Sequence, residues 1–177
     1  PRFRKTVVYI WRHDVSGAAG VVINKKCQQP DFKHICNEGL VHRLPKVNHP
    51  VYYGGPILTN VVGVLHSTDF ILTSTNTLTE DKVGFTLDRK MLEVIARGQG
   101  PKNMLITLGM ANWSTGQLEE ELEHPRNPAM SWLIMDYDEK FVFGQLDEDK
   151  PDDLWENCVN QAIRNKTQEI TSKIFED

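Results

Sequence analysis

Cysteine is scarce in this chain and does not form pairs. Cys27, Cys36 and Cys158 make an odd set with no Cys-x-x-Cys, which is not a disulfide framework. Cys27, His34, Cys36 and His42 lie within sixteen residues, but Cys-x8-Cys is not the close-paired spacing of structural zinc, and no metal site is read here. Long apolar runs are missing as well: no window approaches eighteen uninterrupted apolar residues, so no transmembrane helix and no membrane partner are expected. No signal or transit peptide opens the chain, which starts at Pro1, and a cytoplasmic location is expected. Phosphate-binding signatures are lacking too, with no Gly-Lys-Ser/Thr of a Walker loop and no Gly-x-Gly-x-x-Gly after a strand. No cofactor is therefore expected.

Catalytic spacing is equally absent. Ser, His and Asp meet only at His66, Ser67 and Asp69, whereas the members of a triad converge from separate parts of a fold. His66 reads instead as a structural histidine bonded to backbone. Glu119, Glu120, Glu121 and Glu123 form a run on one predicted helix, which is a solvated face; acid/base work needs two carboxyls in a protected cleft. Asp136, Asp138, Asp147 and Asp152 do not have the spacing of a calcium loop.

What is present is the balance of one ordinary globular domain: 177 residues, 40% apolar and 25% charged. Charge is uneven. Residues 1–50 carry +6 and residues 51–177 carry −10, for a net −4. A net acidic protein is a poor prior for nucleic-acid binding, which runs on phosphate neutralisation, although the basic first third leaves a local patch open.

The most informative stretch is Asn103–His124 (NMLITLGMANWSTGQLEEELEH). Met104–Leu108 reads as a buried strand bounded by Gly109, and Ser114 with Gln117 as a capping box opening a helix that ends before Pro125. A glycine turn opening a helix is a place where anions bind, so Gly109, Asn112, Trp113, Ser114 and Gly116 are candidates for a ligand or partner surface. Upstream, Lys5–Arg12 and Ala18–Asn24 predict an antiparallel hairpin, and Cys27–Pro50 a long covering segment of the kind that is often functional. Val51–Tyr53 and Val61–His66 are strands flanking Gly54, Gly55 and Pro56. Two glycines accept a bare backbone approach, from a ligand or, as favoured here, from another strand. Short strands are expected near Phe70–Thr73, Val83–Thr86 and Ser131–Met135, and Phe141–Phe143 is short and apolar. Asp88 caps a helix over Arg89–Ala96 closed by Arg97-Gly98, and an amphipathic helix covers Asp152–Asn165. About seven strands and three or four helices, with strands clustered early, give an α+β class.

FRKTVVYIWRHDVSGAAGVVIN at 3–24, VYYGGPI at 51–57, VGVLHS at 62–67, MLEVIARGQGPKNMLITLGMANWSTGQLEEEL at 91–122 and the helix near Trp155 resemble the YqgE/AlgH family. The resemblance implies a bent, mostly antiparallel sheet curling into a partial barrel with three or four helices packed outside. It implies a single domain over residues 1–165, with a polar tail over 166–177. It implies no chemistry; the transcriptional-regulator label the family carries comes from a role in alginate control. The chain reads as a divergent member lacking the usual first strand. Three functions follow. The preferred one is a non-enzymatic regulatory or binding module working through contacts with an unidentified protein, using Trp113, His66 and the Gly54-Gly55-Pro56 turn. The others are a small-ligand or nucleotide-binding protein, enzymatic or not, using the glycine turns, and a DNA-binding regulator. Oligomeric state is left open.

Overall fold

A computed structural model describes residues 3–41, 43–77, 82–125, 131–144 and 151–175. The strands are β1 (Val8–Asp14), β2 (Gly17–Val22), β3 (Val51–Tyr53), β4 (Ile57–Ser67), β5 (Asn76–Thr77), β6 (Val83–Thr86) and β7 (Met104–Ser114). The helices are α1 (Phe32–Ile35, continuing as a wider helical turn through Cys36–Leu40), α2 (Arg89–Ala96), α3 (Gln117–Glu123), α4 (Glu139–Val142) and α5 (Pro151–Phe175).

The sheet is ordered β1-β2-β7-β4-β6-β5, and every neighbouring pair in that order is antiparallel. β7 is its axis. One of its edges pairs with β4; the other is shared end to end by β2, opposite Ala111–Ser114, and β3, which lies parallel to Ile106–Leu108. Trp11 of β1, at one end of the order, stacks on Phe85 of β6, next to the last strand at the other, with ring centroids 4.6 Å apart. That contact brings the two ends of the sheet together, so the sheet is nearly closed into a barrel, with the helices completing a mixed α+β fold.

Alternation along the strands distributes the core between two faces. On β4 and β7, Val64 and Ile106 pack with Phe32, Ile35, Met91, Leu92 and Ile95 from α1 and α2. Their neighbours Leu65 and Leu105 turn the other way, towards Trp11, Phe85, Val142 of α4 and Leu154 and Cys158 of α5.

Several local expectations hold in detail. Asp88 accepts from the Lys90 N–H at 2.9 Å, and α2 ends at Gly98, whose φ of +72° lets its N–H reach the Ile95 carbonyl at 2.8 Å. Others are corrected. β7 does not stop at Gly109 but runs through it to Ser114, because a glycine at φ +75° is accommodated inside the strand. The capping box is half formed: the Ser114 N–H donates to Gln117 Oε1 at 3.0 Å, but the N-cap is Gly116 and no side chain caps α3. Phe70–Thr73 and Ser131–Met135 lie outside the sheet, and the short apolar stretch Phe141–Phe143 falls in and after α4. Five helices, not three or four, occur among the described residues. α5 continues past Asn165 to Phe175. Between residues 153 and 169 of α5 the buried side chains are Leu154, Cys158 and Ala162, while Ile163 and residues 166–169 are exposed.

Candidate functional site

The two predicted glycine sites, at positions 54–55 and 109, meet in one place. A Cβ on Gly54 would stand 2.3 Å from the Gly109 carbonyl oxygen, one on Gly55 2.3 Å from the Met110 carbonyl carbon, and one on Gly109 2.4 Å from the Gly55 oxygen. The bare backbone receives a strand: β7 crosses here, and the Gly54 N–H donates to the Leu108 carbonyl at 2.8 Å while its own oxygen accepts from Val22 at 2.8 Å. Pro56 leads from this crossing into β4.

His66 is fully buried, and its ring is held at both nitrogens. Nδ1 lies 2.9 Å from the Ser67 carbonyl, which can only accept, so Nδ1 carries the proton. Burial holds the imidazole pKa below its ordinary value, so the ring is neutral and Nε2 accepts from the Thr86 hydroxyl at 2.8 Å. Thr86 then accepts from Thr75 at 2.8 Å, and Thr75 from the Leu72 N–H at 2.9 Å. Every proton in this chain has one direction. Ser67 donates instead to Asp69, and together they tie the end of β4 to the Lys102 and Asn103 N–H groups. All three side chains of the trio are thus engaged by backbone or by neighbouring hydroxyl groups.

Trp113 is only 3% exposed, which corrects its assignment to an exposed surface. Inward alternation on β7 buries it while Asn112 and Ser114 face out. Its ring stands 6.2 Å from Phe3 and 6.0 Å from Trp132. Its Nε1–H and that of Trp132 both donate to Glu121 Oε2, at 3.1 and 2.9 Å, while Gln117 supports Oε1 at 3.0 Å. Glu121 is thus a bridge rather than part of a solvated face. Gly116 (φ +72°) has open space around it and serves only to turn the chain into α3. The thiols of Cys27, Cys36 and Cys158 are all pushed up by burial, Cys158 to about 11, so none is a ready nucleophile.

An open cleft lies elsewhere, between the C-terminal end of α2 and the segment following α1. It measures about 500 Å³ and is lined by Val41, Arg43, Glu93, Arg97 and Gln99. The segment is fastened at three points. Val41 is buried in the core, the Lys46 N–H donates to the Ala96 carbonyl at 3.1 Å, and the Asn48 side chain bridges Asp31 and the Lys33 N–H at 2.8 and 2.9 Å. The Asn48 amide, followed by the His34 N–H, holds the Asp31 carboxyl down at about 2. Between these fastenings Leu44 and Val47 are 56% and 60% exposed. Cys27–Pro50 was legible as a long covering segment, but Arg43 and Arg97 form no motif, and only α2 packing brings them to one cleft.

No helix among the described residues is long and apolar enough to cross a membrane. The chain matches the AlgH-like family (DUF179) over residues 1–166. It is 33% identical over 159 residues to a UPF0301 protein of Bradyrhizobium sp. (strain BTAi1), spanning 85% of this chain and 71% of that one. It is 37% identical over 153 residues to the UPF0301 protein RSc0675 of Ralstonia nicotianae, spanning 85% and 76%. The solution structure of AlgH from Pseudomonas aeruginosa superposes with a TM-score of 0.63 at 32% identity, over 78% of this chain and 70% of that one. The crystal structure of DIP2367 from Corynebacterium diphtheriae shares the fold, with a TM-score of 0.60 at 19% identity over 88% and 76%. The chain therefore belongs to the AlgH-like UPF0301 family.

Proposed function

We propose that the protein is a non-enzymatic binding module that acts through protein contacts, and that the cleft at Arg43 and Arg97 is where it does so. One observation carries this reading: Leu44 and Val47 are more than half exposed on a segment fastened on both sides of them. Large apolar groups held out on an anchored backbone add contact area at little ordering cost, which is what a recognition loop requires. The groups first considered for function are otherwise engaged. His66, Trp113 and the glycines at 54, 55 and 109 all serve to hold strands together.

A photo-crosslinking amino acid placed at position 47 in the native host tests the reading. Discrete protein adducts are expected from this position and not from position 120 on exposed α3. Equal adducts from both positions, or none from position 47, would remove the cleft as a contact site.

A further inference from the structure

The charges around this cleft narrow the class of partner. Arg43 and Arg97 line it, and the Lys46 stem runs beside it, its Cδ 3.5 Å from where a Cβ on Gly98 would stand. Among the described residues none of these three cations has an ion pair, in a chain whose net charge is −4. The one carboxylate in the lining, Glu93, is taken by Arg89 one helical turn earlier, 3.6 Å away. A cation at a helix C-terminus is favoured by the helix dipole, which accounts for Arg97 but not for Arg43 or Lys46.

Uncompensated guanidinium groups suit carboxylate or phosphate, both of which they can hold with paired hydrogen bonds. The apolar groups decide between them. Val41 in the lining and exposed Leu44 and Val47 on the same segment offer contacts to aliphatic side chains, while no aromatic ring among the described residues lines the cleft for a base to stack on. We infer that the cleft takes an acidic, leucine-bearing segment of a partner protein, with its carboxylates on Arg43, Lys46 and Arg97 and its apolar side chains on Leu44 and Val47. This rests on the protein-contact reading above and specifies its partner.

The test titrates the full chain with a short fluorescein-labelled peptide of alternating Glu and Leu, and with labelled single-stranded DNA of equal charge, at low and high salt. The peptide is expected to bind, more weakly as salt rises. Reversing both arginines (Arg43→Glu with Arg97→Glu) is expected to weaken it roughly a hundredfold, about tenfold per charge, and Leu44→Ser with Val47→Ser roughly tenfold. All four side chains are exposed, so both variants should melt as the parent does. Tighter binding of the DNA, peptide binding indifferent to the reversed arginines, or no peptide binding overturns the inference. Self-association of the chain that disappears in Arg97→Glu overturns it too, by giving the cleft to the acidic face of a second copy. A crosslink from position 47 that survives the reversed arginines would sink the acidic partner while leaving the binding module standing; loss of the crosslink in the parent chain sinks both.

Discussion

Two side chains that looked functional are the ones whose removal should cost most stability. Trp113 fills a buried site among Phe3, Ala18, Ala111 and Trp132, so Trp113→Ala is expected to lose about 3–5 kcal/mol in urea unfolding. Trp113→Phe keeps an aromatic ring but gives up the second ring of the indole together with the Nε1–H bond to Glu121, and is expected to cost less, about 1–3 kcal/mol. A smaller loss from Ala than from Phe would show that the cluster does not hold the β7–α3 corner. His66 adds a dependence on pH. Its folded pKa lies below the 6.5 of the free side chain, so the unfolded chain binds the extra proton. Its contribution is complete above pH 6.5 and is lost as pH falls towards the folded value, with a slope no steeper than about 1.4 kcal/mol per pH unit. His49, lowered by burial, acts in the same direction. Unfolding measured from pH 7 down to about 5 should therefore show a flatter slope in His66→Gln than in the parent, though not a flat one. An unchanged slope would mean that His66 is not held neutral.

Glycines separate two kinds of element junction. At the crossing of β3 and β7, Gly55 combines φ +151° with a Met110 backbone atom 2.3 Å from any Cβ, whereas Gly116 at the start of α3 combines φ +72° with open space. Gly55→Ala is expected to cost about 3 kcal/mol or more, since backbone must separate, and Gly116→Ala only about 1 kcal/mol of left-handed strain. Chemical denaturation of the two variants side by side checks this; equal costs would mean the strands can part freely. What was legible at this scale was whatever short-range rules govern. Asp88 and Gly98 bracket α2 because caps act within one turn, and the paired glycines at 54 and 55 announced a bare backbone that a strand fills. The full length of β7 was not legible. Gly109 reads as a strand end locally, and only pairing with β2, roughly ninety residues earlier, extends the strand to Ser114. The burial of Trp113 depends on that same pairing, because Asn112 and Ser114 on either side give a polar neighbourhood in sequence.

At the scale of the molecule, the division between a domain ending near residue 165 and a tail is tested by truncation. Residues 166–169 of α5 are exposed, and up to residue 169 the last buried side chain of α5 is Ala162. Ending the chain after Asn165 should leave the melting temperature within a few degrees of the parent's, and a large drop would place the end of α5 inside the folded unit. The crossing position of β7 has a consequence for how the chain comes off the ribosome. β1 and β2 can form their hairpin early, but Ala18–Gly20 must wait for Ala111–Trp113, and Trp11 for Phe85. Until residue 114 has emerged, the first half presents an apolar hairpin with no lid, a fold of high contact order whose nascent chain needs shelter during synthesis.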